Sequence, residues 1–157
     1  MKINGVKVNA PNVVPVPIIR ETGDILILCG AVLDYEEFDQ LCPRPEPRVQ
    51  THADGTEIPM VKEKAFLAKI EEWAEKRVAW RTIQSLKATE GLEWETVSDT
   101  DPESWANWRE ELKSACFSEM EVMRIQESIG RADGFSPEKI DEATKTFLAG
   151  LAATQKG

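Results

Sequence analysis

Histidine occurs once in the 157 residues and cysteine three times, and each scarcity closes off chemistry. With His52 alone, most histidine-dependent acid/base schemes are excluded. Cys29, Cys42 and Cys116 are odd in number and share no CxxC spacing. Together with the lack of an amino-terminal signal peptide, they lead us to expect a reducing cytoplasm. The chain also has no glycine-rich phosphate loop, no GxSxG elbow and no HExxH. Carboxylate pairs such as Glu71 with Glu72 and Glu110 with Glu111 fall on charged helical faces, where solvation is their ordinary fate. The expectation is a protein that is not an enzyme, with no catalytic residue, no metal and no cofactor. No apolar run approaches a membrane span, so no membrane partner is expected. Basic surface is missing too: a net charge of -9 and a pI near 4.8 speak against nucleic acid and point to a protein partner.

What the chain does have is length enough to bury a core without disulfide or metal. The pattern predicts an α+β fold, mostly α, with a small amino-terminal β-sheet or hairpin, one long helix and a carboxy-terminal three-helix bundle. Residues 1–42 read as a β-rich segment with a short helix, 43–60 as a proline-rich loop and 61–157 as a helical domain, the whole forming one compact unit.

The stretch from Lys62 to Gly91 organises the rest. Phe66, Ile70, Trp73, Trp80 and Ile83 recur at helical spacing, with neither proline nor glycine between them. Gly91 is the expected carboxy-terminal cap, giving a rod of roughly 40 Å at about 1.5 Å per residue. Such a rod either spans the domain or projects toward a partner.

Ahead of it, Asn4-Gly5 marks a turn. Val13 to Arg20 reads as an edge strand or extended arm because Pro15 and Pro17 lack backbone donors. The apolar run from Asp24 to Leu33 is the strongest strand, in a sheet that must pack on the long helix or on another subunit. Asp34 caps a short helix through Cys42 with Tyr35, Phe38 and Leu41 on one face; its acids lack the spacing of a calcium loop. Pro43 to Pro59 is expected to be a loop that leaves His52 in solvent, its alternating prolines making a rigid connector or a docking segment.

Beyond the rod, Leu92, Trp94 and Thr96 suit a short strand or strap over the core. A helix then starts near Thr100 or Asp101, with Pro102 in its first turn, a Thr100 to Glu103 capping box and Trp105, Trp108 and Leu112 inward. Two more helices carry the same signature. One has Ser118 as cap, Glu121 reaching back, and a Phe117 and Val122 staple, with Val122, Ile125 and Ile129 inward. The other has Ser136 as cap, Pro137 in the first turn, and a Phe135 and Ile140 staple, with Ile140, Ala143, Phe147 and Leu151 inward. Ala152 to Gly157 is expected to fray.

Charge is uneven along the chain. From Leu92 to Glu121 nine acids face two bases, whereas Lys62 to Glu90 carries seven bases against five acids. The two regions either attract each other, within one molecule or between neighbours, or are ordinary solvated faces.

The opening MKINGVKVNAPN, the IIRETGDILI segment, AVLDYEEFDQLCPRPEP, the long GLEWETVSDTDPESWANWREELKSACFSEMEVMRI and the final FSPEKIDEATKTFL resemble, in that order, the tail assembly chaperones of tailed bacteriophages. The resemblance covers most of the chain and carries no motif of functional residues. It implies a protein of the host cytoplasm that coats the tape measure protein and keeps it soluble until tail tube protein polymerises around it. Many such proteins are made in two lengths by a ribosomal frameshift, with which the ending Gln155-Lys156-Gly157 is compatible. A chaperone of this kind needs exposed apolar side chains or a helical groove, a homo-oligomer to repeat it, and net charge for solubility. Trp73, Trp80, Trp105, Trp108, Met120 and Met123 are the candidate contacts with client or neighbouring subunit, core packing being the alternative. Two other functions fit the residues: a tail or neck subunit of the virion using Ala10 to Arg20 for donated-strand contacts, and an acidic inhibitor of a host protein.

Overall fold

A computed structural model describes residues 1–8, 11–134 and 137–155. The fold is α+β: among the described residues three two-stranded antiparallel sheets accompany five α-helices, one of them long. The first sheet, β1 (Lys2–Ile3) with β2 (Val6–Lys7), closes through Asn4 and Gly5 at φ 52° and 81°, the turn that this residue pair permits.

The second sheet pairs β3 (Val13–Ile18) with β4 (Ile25–Gly30) in a register running from Val13 opposite Gly30 to Ile18 opposite Ile25. Prolines set its polarity. Pro15 and Pro17 have no N–H to give the ladder, so the bonded pairs are Val14 with Cys29, Val16 with Ile27 and Ile18 with Ile25, and the proline positions face outward. The Ala31 N–H bond to the Asn12 carbonyl, at 2.9 Å, continues the same alternation. The outer edge of β3 therefore offers no donor between Val14 and Ile18, and Arg124 Nη2 takes the Pro17 carbonyl at 3.3 Å. The segment expected as an edge strand or arm is an edge strand paired within its own chain.

On the far side of β4, one hydroxyl from the last turn of the long helix and one from the turn beyond it stand where another strand would. The Thr89 hydroxyl bonds both backbone groups of Leu28, and Ser85 Oγ donates to the Gly30 carbonyl at 2.8 Å. Gly30 suits this approach, since a Cβ there would sit 3.2 Å from Ala88 Cβ. The sheet buries one face only: Val16, Ile18, Ile27 and Cys29 go inside, while Leu26 stays 55% exposed.

Helix α1 (Glu36–Leu41) begins two residues later than Asp34, whose carboxylate accepts the Glu36 N–H at 3.2 Å. The expected loop 43–59 contains a hairpin, β5 (Val49–Thr51) with β6 (Glu57–Pro59). Its turn is held by the Asp54 carboxylate on the Thr56 N–H at 3.0 Å and by Gly55 at φ 87°. Strands of three residues, exposed on both faces, leave no alternation to read.

Helix α2 (Lys64–Leu86) is the long rod, ended five residues before Gly91. The Lys87, Ala88 and Thr89 amides bond three residues back, tightening the last turn while Thr89 turns to β4. Gly91 does take a positive φ of 76°, in the turn beyond. The fully buried residues of α2 lie between Ala79 and Leu86, and in its first half Phe66, Ile70 and Trp73 are half-buried.

The segment after Gly91 is a strap rather than a strand. Trp94 and Leu92 pack half-buried under it, and Glu111 Oε1 accepts the Glu95 and Thr96 amides. The next helix opens as a 3-10 turn, Pro102–Asn107, capped by Asp101 accepting from the Glu103 N–H at 3.1 Å instead of by Thr100. It passes directly into α3 (Trp108–Ser114). Helix α4 (Glu119–Ala132) has the expected reciprocal box between Ser118 and Glu121, with Ile125 and Ile129 buried and Val122 half-buried.

Helix α5 (Pro137–Gln155) corrects an expectation. Ile140, Phe147 and Leu151, expected inward, are 54%, 68% and 47% exposed, and Ala143 is exposed with them. Helical structure continues through Ala152 to Gln155, where fraying was expected. The Ser136 cap and the Phe135 staple lie outside the described residues.

Two clusters make the core. Val16, Ile18, Ile27, Cys29, Leu86, Ile125 and Ile129 seal the sheet against α2 and α4. Phe38, Ala79, Trp80, Ile83, Trp105, Trp108 and Leu112 form an aromatic layer under α1, α2 and α3.

Candidate functional site

The aromatic layer accounts for most of the tryptophans singled out above. Trp105, Trp80 and Trp108 are 0%, 3% and 3% exposed. Phe38 sits at 5.7 to 5.8 Å from the rings of Trp73, Trp80 and Trp105 in tilted contacts, which adds geometric preference to area burial. Trp105 Nε1 also donates to the Ser98 carbonyl at 3.0 Å, fixing the strap. These three side chains are packed in the core, and of them only Trp108 lines the groove between α2 and the 3-10 turn. Helical spacing places them on one face without saying whether that face is covered.

Trp73 is half-buried and Met120 and Met123 are 67% and 53% exposed, so these three candidates reach the surface. Trp73 anchors its indole on the Cys42 carbonyl at 3.1 Å and offers its ring to two guanidiniums, Arg77 at 5.4 Å and Arg44 at 5.6 Å. Arg77 lies 4.0 Å above Tyr35, with Asp39 at 3.8 Å. Burial raises the Tyr35 phenol and the Cys42 thiol above their ordinary pKa values.

Two exposed surfaces adjoin this body. One is α5, which adds an exposed Leu148 to Ile140, Phe147 and Leu151. Sequence reasoning assigned that stripe to the core, because an inward and an outward amphipathic face read alike. The other is a groove of about 760 Å³ between α2 and the 3-10 turn. Ala74, Val78 and Ala79 from α2 and Pro102, Ala106 and Trp108 opposite make its apolar floor. Glu71, Glu72, Glu75 and Glu103 rim it, with Lys76 and Arg109. Lys76 bridges the walls, bonding Glu103 at 2.8 Å and Glu72 at 3.0 Å, and those two bonds raise its pKa.

The acidic stretch is partly consumed at home. Glu103 pairs with Lys76, Asp99 with Lys87 and Glu121 with Arg20, while Asp101 and Glu111 hold backbone amides. Attraction between the acidic and basic regions thus operates within one molecule. His52 lies exposed in the β5–β6 turn, its amide bonded to the Thr56 carbonyl at 2.8 Å. Among the described residues, no three of His, Cys, Asp and Glu gather as a metal site, and no helix is long and apolar enough to cross a membrane. Compared with known proteins, the chain matches no family model, no curated sequence and no solved structure.

Proposed function

We propose that this chain is a tail assembly chaperone of a tailed bacteriophage, a binding protein without catalysis that holds the tape measure protein soluble in the host cytoplasm until tail tube protein polymerises. The observation that carries the reading is α5: 19 residues of helix whose described side chains are all exposed, Ile140, Phe147, Leu148 and Leu151 among them. A helix of that length gains little by itself in water, and its stability in a protein comes from packing an apolar face on something. An elongated helical client supplies that face. Neither nucleic acid nor membrane is needed as a partner, and a homo-oligomer would present the helix repeatedly along the client.

The resemblance of residue order to the phage chaperones names the client. Co-expression tests it. The tape measure protein should be soluble and co-purify with this chain, should precipitate without it, and should be released when tail tube protein is added. Recovery of the chain in stoichiometric amount from purified particles would instead make it a permanent virion part.

A further inference from the structure

We propose that the groove between the middle of α2 and the 3-10 turn docks an amphipathic helix of a second polypeptide, one that carries lysine or arginine beside its apolar face. The inference rests on reading the chain as a carrier of another polypeptide, and it says where and by what chemistry that polypeptide is held.

Shape is the first argument. Ala74 and Val78 continue toward the amino end of α2 into Leu67, at spacings of seven and four residues, so one stripe runs along the helix. Leu67 and Val78 are 51% and 45% exposed, and Ala74 and Ala106 between the walls are exposed too. Small residues on the floor let another backbone come close, and the 760 Å³ volume falls in the range of ligand-binding clefts, roughly 300–1,000 Å³. A helix laid into such a groove contacts it through side chains at i, i+3, i+4 and i+7.

Charge chooses the occupant. Lys76 is held on both sides by Glu72 and Glu103, and Arg109 lies 4.9 Å over the Trp108 ring. Glu71 and Glu75 flank the apolar stripe and make no ion pair among the described residues. A basic-flanked helix brings them partners, and an acidic one meets repulsion. A second copy's α5 fits poorly, since it carries Glu138, Asp141 and Glu142 against Lys139 and Lys145.

The probes are two synthetic 18-residue amphipathic peptides with the same leucine and alanine face, one flanked by lysines and one by glutamates, titrated by fluorescence anisotropy against the full chain. The lysine peptide should bind at least about tenfold more tightly than its twin. Its affinity should drop as salt shortens the screening length from about 10 Å toward 3 Å. Ala106→Trp, which fills the groove, and the pair Glu71→Lys with Glu75→Lys should each weaken it by roughly tenfold. Reversing Glu119 and Glu127 on α4, away from the groove, should leave it unchanged, and circular dichroism melts confirm that each variant is folded. Equal binding of the two peptides, or equal loss from the α4 reversal, would overturn the groove. A tape measure complex that survives Ala106→Trp undiminished also overturns it and leaves the proposed function standing. Groove-dependent capture of the lysine peptide with no tape measure complex supports the groove and overturns that function.

Discussion

The Thr89 hydroxyl accepts the Leu28 N–H at 2.9 Å and donates to the Leu28 carbonyl at 3.0 Å, so one side chain at the end of α2 satisfies a residue on the outer edge of β4. Thr89→Val keeps the shape and removes both bonds, leaving two half-buried backbone groups without partners. The expected cost is about 1–3 kcal/mol, read from urea denaturation midpoints, with Thr89→Ser close to wild type. A Thr89→Val protein as stable as wild type would mean that water replaces the hydroxyl at that edge.

Trp105 tests the aromatic layer. Fully buried and bonded to the Ser98 carbonyl, it ties the strap to α2 and α3. Trp105→Ala should lower stability by about 3–5 kcal/mol in chemical denaturation. Trp105→Phe keeps most of the packing and loses the indole bond, so its cost should be the smaller of the two. By contrast Met120→Ala, at a surface position, should stay within about 0.5 kcal/mol.

Arg20 and Glu121 give a pH dependence whose sign follows from geometry. Two hydrogen bonds of 2.7 Å join the guanidinium to the carboxylate, and they hold the Glu121 pKa below its ordinary value. A carboxylate depressed in the folded state contributes stability that is present above the unfolded pKa, near 4.3. That contribution is lost as pH falls through the folded value. The stability difference between wild type and Glu121→Gln should therefore be constant above about pH 5 and shrink as acid is added further. A difference that does not change between neutral and acidic pH would mean the pair contributes nothing.

The three cysteines should separate by reactivity. Burial raises the Cys29 thiol to about 11, and it lies wholly inside, whereas Cys116 is exposed at the end of α3. A maleimide at pH 7 should label Cys116 rapidly and Cys29 only after denaturation, with half-buried Cys42 between them. Peptide mapping by mass spectrometry reads the order, and early modification of Cys29 would show that the sheet opens under native conditions.

Local chemistry was the legible part of this fold. Asn4-Gly5, the Ser118 and Glu121 box and the prolines of β3 act through their own backbone neighbours, and each appears where the residues place it. The amphipathic spacing of α2 likewise gave the rod. Its end was not legible, because Thr89 leaves the helix for Leu28, a partner 61 residues away. Periodicity also could not say which apolar stripe is covered. Ile125 on α4 and Phe147 on α5 occupy equivalent places in their patterns, yet one is 0% and the other 68% exposed. The groove escaped for a related reason: Ala74 and Ala106 are unremarkable until two distant segments meet.

That contrast supplies a measurement on α5 itself. With its described side chains all in solvent, α5 has, among the described residues, only hydrogen bonds within itself to resist opening, so its amides should exchange with deuterium at a local opening cost near zero. The amides from Ala79 to Leu86, where α2 is buried, should exchange only at the cost of global unfolding. Adding the tape measure protein should slow exchange throughout 140–155, and Phe147→Ser with Leu151→Ser should abolish that protection while leaving the denaturation midpoint of the free chain unchanged. Strong protection of α5 in the free protein at micromolar concentration, falling on dilution, would show that copies of the chain cover one another's fifth helix. Protection by the client confined to α2 and the 3-10 turn would shift the whole client contact to the groove.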